Sequence, residues 1–145
     1  MQNFSNKAVE YFERGYSCSE SVVRAAYDSN IIDNKIDLDT LNAISSPFSG
    51  GMGGTGCLCG ALSGAQMALG LAAGRKSPDN DPHRIRNLSR ELVEKFKEKR
   101  KATCCRVLSA PYKNNPEGRR QNCTELVREA SETLETILKE ILVKG

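Results

Sequence analysis

The chain has 145 residues, 39% of them hydrophobic and 27% charged, with a formal net charge of +3. That length suits one domain with a core large enough to stand without disulfide staples. So small a positive charge does not by itself argue for a nucleic-acid partner, and none is expected.

The period is helical nearly everywhere, beginning with Phe4, Ala8, Tyr11 and Phe12 at i, i+4, i+7 and i+8, with Gly15 as a stop. A second helix is expected from Ser17 or Cys18, carrying Val22, Val23, Ala25, Ala26 and Tyr27 before Asn30 ends it. Asp37 or Asp39 caps a short helix through Leu41, Ala43 and Ile44, which Pro47 closes. The glycine-rich run from Ser49 to Gly56 reads as a flexible loop. It leads into a helix from Cys57 to Leu71 that is small or apolar all round, as the centre of a bundle should be. Asp81-Pro82 opens a charged amphipathic helix with Ile85, Leu88, Leu92, Val93 and Phe96 as its buried stripe. Cys104 to Leu108 reads as a turn or helical start, and Pro111 to Gly118 as a loop. A last helix is expected from about Asn122 to Lys144, with Leu126, Val127, Ala130, Leu134, Ile137, Leu138 and Ile141 inward. No strand alternation competes, so the expected fold is all-α. Residues 1–145 form a single domain: a bundle of about five or six helices around a Gly/Ala-rich central helix.

Met1 to Lys7 has no apolar run after a basic start, so no secretory signal is expected. The longest uncharged stretch, Phe48 to Gly74, is too rich in glycine and serine for a membrane span. A cytoplasmic protein without membrane contact is expected. In that reducing compartment the six cysteines, Cys18, Cys57, Cys59, Cys104, Cys105 and Cys123, are not a permanent disulfide framework. They read as packed small residues, metal ligands or a redox couple.

Their placement favours a common site. Cys59 follows the glycine loop at a helix start, where free N–H groups and the helix dipole stabilise a thiolate. Cys18, Cys105 and Cys123 are likewise expected near element starts, not within long apolar stripes. There is no C-x-x-C pair, so zinc-ribbon, rubredoxin-like and bacterial ferredoxin patterns are absent, and a four-sulfur site has to be assembled from separate helices. His83 is the single histidine and is expected to face solvent, which leaves no Cys-His nucleophile pair. Gly51 to Gly56 spells the dinucleotide fingerprint G-x-G-x-x-G, yet no strand precedes it and no βαβ unit surrounds it, so no nucleotide is expected. The basic run Lys95, Lys97, Lys99, Arg100, Lys101 and Arg106 reads as a solvated helix end; the sharper reading is a docking patch for an acidic redox partner.

At these residues the sequence resembles a family of redox-active proteins named for the cysteine pattern C…GCAxxG…C…C. The matching pieces are Gly15-Tyr16-Ser17-Cys18, the run Gly53 to Ala65, Cys105-Arg106-Val107-Leu108 and Cys123. Where the family label writes Gly-Cys-Ala, this chain reads Cys59-Gly60-Ala61 followed by Gly64. The resemblance implies Cys18, Cys59, Cys105 and Cys123 as the working sulfurs, Gly56 and Gly60 beside the bound group, and Cys57 and Cys104 as extras able to substitute. The family is similar to the iron–sulfur portion of split-Soret cytochromes, which implies a [2Fe–2S] cluster held by the four thiolates. With no C-x-x-C-H motif, no haem is expected.

Three functions follow. The first is electron transfer or redox sensing through that cluster, with a redox partner protein. The second is a metal-free thiol–disulfide oxidoreductase using Cys59 with Cys57, Cys105 or Cys123. The third is a structural zinc site, or cysteines that only pack, in a helical interaction module. The long apolar stripe of the last helix suggests a possible homodimer.

Overall fold

The computed structural model describes residues 3–30, 32 and 36–144, with side chains through residue 141. Helix α1 (Phe4–Glu13) starts at Asn3, whose side-chain oxygen accepts from the N–H groups of Ser5 and Asn6. Helix α2 (Cys18–Asp28) starts with a capping box: Glu20 N–H donates to the Ser17 hydroxyl, while the Glu20 carboxylate accepts from Ser17 N–H at 2.8 Å. Asp37 caps α3 (Leu38–Ser45) by accepting from Thr40 N–H at 2.8 Å. A 3₁₀ turn (Ser46–Phe48) and the single turn α4 (Ser49–Met52) follow. Then come α5 (Gly60–Ala73), α6 (His83–Arg100), α7 (Cys105–Ser109), a second 3₁₀ turn (Ala110–Tyr112) and α8 (Pro116–Lys144).

The all-α reading is right. The count exceeds the expected five or six because α4 and α7 form where the sequence reads as loop and turn. Helix α8 starts at Pro116, ahead of the expected Asn122. Asn115 explains this: its side chain accepts from Gly118 N–H at 3.0 Å, so Asn115 caps the helix and Pro116 fills its first position.

Helix α5 lies at the centre, packed against α2, α6 and α8, while α1 lies against α2 and α8. The core is the meeting of the predicted stripes. Phe4, Val22, Val23, Leu62, Leu69, Leu92, Phe96, Val127, Leu134 and Ile137 are all buried, each Val, Leu, Ile or Phe contributing about 1.5–3 kcal/mol. The stripe of α8 packs within the chain, against α1, α2, α5 and α6. Among the described residues no helix is long and apolar enough to cross a membrane.

Candidate functional site

Each cysteine is placed by a local feature of the chain. Cys18 is the first residue of α2, fixed by the capping box at Ser17. Cys59 is the cap residue of α5. The residues just before α5 run extended and pair antiparallel with those just before α7: Leu58 bridges Cys104. Cys59 N–H donates to the Thr103 carbonyl at 2.7 Å, and Cys105 N–H to the Cys57 carbonyl at 2.6 Å. This short bridge is what brings Cys59 and Cys105 together. Gly51 adopts φ +70°, and a Cβ there would lie 2.6 Å from the Cys105 Cβ, so only glycine lets the loop lie against Cys105. A Cβ on Gly60 would lie 2.3 Å from the Cys18 sulfur. Cys123 sits inside α8, next to the buried Asn122, whose amide donates to the Leu108 carbonyl at 3.0 Å and ties α7 to α8.

Four of the cysteines share one neighbourhood without closing into a ligand set. Cys18 lies within electrostatic reach of Cys123 and Cys105, Cys59 of Cys18 and Cys105, and Cys123 of Cys105. Burial dominates the ionisation of Cys18, Cys59 and Cys123. It pushes the Cys59 thiol, 4% exposed, up to about 12, against the pull of N–H groups of Leu62 and Ala61 at the start of α5. Burial also raises Cys18, where the Gly50 N–H opposes it and the Cys123 charge adds to it. Cys123 is raised by burial and by Cys105, with Arg119 and Arg120 opposing. All six cysteines are free thiols, and Cys57 and Cys104 are exposed. Among the described residues no three His, Cys, Asp or Glu side chains stand close enough to hold a metal ion.

A model of the family described as "Putative redox-active protein (C_GCAxxG_C_C)" matches residues 16–137. The chain belongs to this family. The matched span holds every cysteine of the chain. No curated protein and no solved structure shows significant similarity to the chain.

Within this C_GCAxxG_C_C member the structure corrects three expectations from sequence. The helix start at Cys59 does not yield a stabilised thiolate, because desolvation outweighs the two N–H donors. Cys57 lies in the extended bridge and not in the central helix, which begins at Gly60. Cys123 is interior to α8, so only Cys18, Cys59 and Cys105 sit at element starts. Gly60 gives Cys18 its space, and Gly56 gives Arg106 its space, since a Cβ there would lie 2.9 Å from the Arg106 Cβ. His83 is exposed as expected and bonds Asp81 through Nδ1 at 2.7 Å. The Leu58–Cys104 bridge has no signal in sequence, because its extended arms are too short to show alternation.

Proposed function

We propose that this protein is a redox protein working through Cys18, Cys59, Cys105 and Cys123, as an electron carrier or redox sensor with a four-thiolate [2Fe–2S] site. The observation that carries this reading is that Cys18, Cys59, Cys105 and Cys123, from four separate elements, lie in one glycine-lined neighbourhood within electrostatic reach. Among the described residues no three stand close enough to hold a metal, so binding a cluster would require them to draw together. Cysteines that serve only as small core residues have no reason to meet. The donor set is sulfur alone, since the single histidine is exposed and bonded to Asp81, and four thiolates are the ligands iron–sulfur centres take. Bound there, the cluster would supply single-electron transfer. The chain's own part is to exclude water, to leave room at Cys18 through Gly60, and to aim the N–H groups of Gly50, Ala61 and Leu62 at Cys18 and Cys59. Such N–H donors tune the potential of thiolate-held iron.

One observation favours a second reading, a metal-free dithiol couple. The backbone bond from Cys105 N–H to the Cys57 carbonyl makes these two cysteines cross-strand neighbours, one partly buried and one exposed. Oxidation of the pair would form one disulfide and pass two electrons and two protons to an oxidised disulfide substrate.

Anaerobic purification with iron and sulfide analysis and visible spectroscopy separates the two. The first reading expects iron, sulfide and visible absorption, lost in Cys59→Ser while far-UV circular dichroism is retained, and kept in Cys57→Ser and Cys104→Ser. Persistence of the signal in Cys59→Ser overturns the assignment of Cys59. A colourless protein without iron, oxidising to a Cys57–Cys105 disulfide, replaces the first reading with the second.

A further inference from the structure

Among the cavities on the described surface, two of similar size differ in charge. One, of about 630 Å³, is lined by Glu13 and Glu125 as well as Arg100 and Arg128, so its charges balance. The other, of about 590 Å³, lies against Cys105 and is lined by Arg106, Lys113 and Arg119 with no acidic residue. Those three cations have no ion pair among the described residues. Nor do they exhaust their donors: Arg106 gives one hydrogen bond, to the Thr55 carbonyl at 2.8 Å, and the side chains of Lys113 and Arg119 give none among the described residues.

The arrangement is built into the backbone. Gly56 packs against Arg106, where a Cβ would lie 2.9 Å from the Arg106 Cβ and 3.2 Å from its Nε, so the loop and the arginine form one wall. Lys113 ends the 3₁₀ turn and Arg119 lies in the first turns of α8, so the opposite wall is equally anchored. Three cations facing one concavity without a counter-charge repel each other, and an anion between them removes that repulsion. A guanidinium fork recognises planar carboxylates and phosphates with two donors at once. The volume lies in the range of small-molecule sites and is too small for a folded partner.

We propose that this cavity binds a small molecule bearing two or more negative charges, as carboxylates or phosphates, next to Cys105. Its purpose, delivery of a substrate or effector to the redox cysteines, rests on the reading above; its chemistry rests on the uncompensated cations alone.

The test is isothermal titration of the full-length reduced protein with citrate and, separately, with pyrophosphate, at a fixed ionic strength of about 0.15 M. Saturable binding of either is expected, and the tighter of the two names the headgroup chemistry. Arg106→Gln, Lys113→Gln and Arg119→Gln should each weaken it about tenfold, the worth of one charge-assisted contact. Ala110→Glu, which puts a negative charge into the same cavity, should abolish it, and Lys95→Gln on α6 should leave it unchanged. Circular dichroism of each variant shows that the fold is kept. Absence of saturable binding of both probes overturns the proposal, as does binding that ignores the cavity variants or falls equally in Lys95→Gln. Neither failure touches the redox reading, which the iron and sulfide analysis decides by itself.

Discussion

Two glycines of α5, Gly64 and Gly70, should answer the same substitution with opposite signs. At Gly64 an added Cβ would lie 2.7 Å from the Ser19 carbonyl oxygen and 3.0 Å from its Cα. Both atoms belong to the α2 backbone, so no side chain can swing aside and the two helices must separate. Overpacking of this kind costs about 1–3 kcal/mol, against a gain of about 1 kcal/mol for replacing glycine in a helix interior. The expected net for Gly64→Ala is a loss of up to about 2 kcal/mol. At Gly70 the added Cβ meets nothing within 4 Å and the residue is exposed, so only the helix gain of about 1 kcal/mol remains. The two variants should therefore differ by roughly 1–3 kcal/mol, or roughly 4–12 °C in melting temperature for a domain of this size. Thermal and urea unfolding of the metal-free protein in reductant measures this. Equal effects of the two substitutions would refute the close-contact argument. The same separation pulls Cys18 away from Cys59, so Gly64→Ala should also weaken the redox signal while Gly70→Ala keeps it.

Ser17→Ala removes half of the capping box of α2 and should cost about 1 kcal/mol in urea unfolding, with Thr at that position restoring most of it. The Ser131 hydroxyl is buried in α8 without a partner among the described residues, so Ser131→Ala should stabilise the protein by about 1 kcal/mol; a loss of stability would reveal an acceptor there. Stability of the metal-free protein should fall as pH rises above 9. Cys59 holds its proton up to about 12 when folded against an ordinary value of 9.0, so its contribution is fully present below about 9 and is lost as pH rises through 12, at up to about 1.4 kcal/mol per unit. Tyr11, raised to about 12 by burial and by its hydrogen bond to Asp28, acts in the same direction. Urea midpoints at several alkaline pH values check the sign, and Cys59→Ser should flatten the slope.

What was legible in the sequence followed from the helical period. Ala8 and Tyr11 in α1, Val22 and Val23 in α2, Leu92 and Phe96 in α6, and Leu134, Ile137 and Leu138 in α8 are buried where their spacing puts them. The start of α8 is hidden because Pro116 and Gly118 read as loop residues, whereas Asn115 followed by proline is itself a start signal. The site was partly legible: the cysteines mark it, but their meeting depends on the Leu58–Cys104 bridge and on Gly51 and Gly60, whose purpose appears only when the neighbours are known. The ionisation of Cys59 was misjudged for a related reason. A helix start is a local feature that sequence displays, while burial to 4% exposure is a property of the whole packed core.

Those two opposed influences on Cys59 fit the proposed role better than either would alone. An exposed thiolate at a helix start would be open to any electrophile, as Cys57 and Cys104 are by position. A buried thiol stays protonated at neutral pH and inert until positive charge arrives to replace the proton. The N–H groups of Ala61 and Leu62 are already in place to receive the anion that results, so little reorganisation accompanies the exchange. The same holds for Cys18, with Gly50 as donor, and there the neighbouring Cys123 charge adds a further penalty to ionisation without a cation. In the proposed reading, the repulsion that opposes bare thiolates at Cys18, Cys59 and Cys123 would be relieved by one shared positive centre. Selectivity of the proposed site for such a centre over free ionisation would come from burial and clustering, and the helix start would only lower the cost of the state that the centre creates.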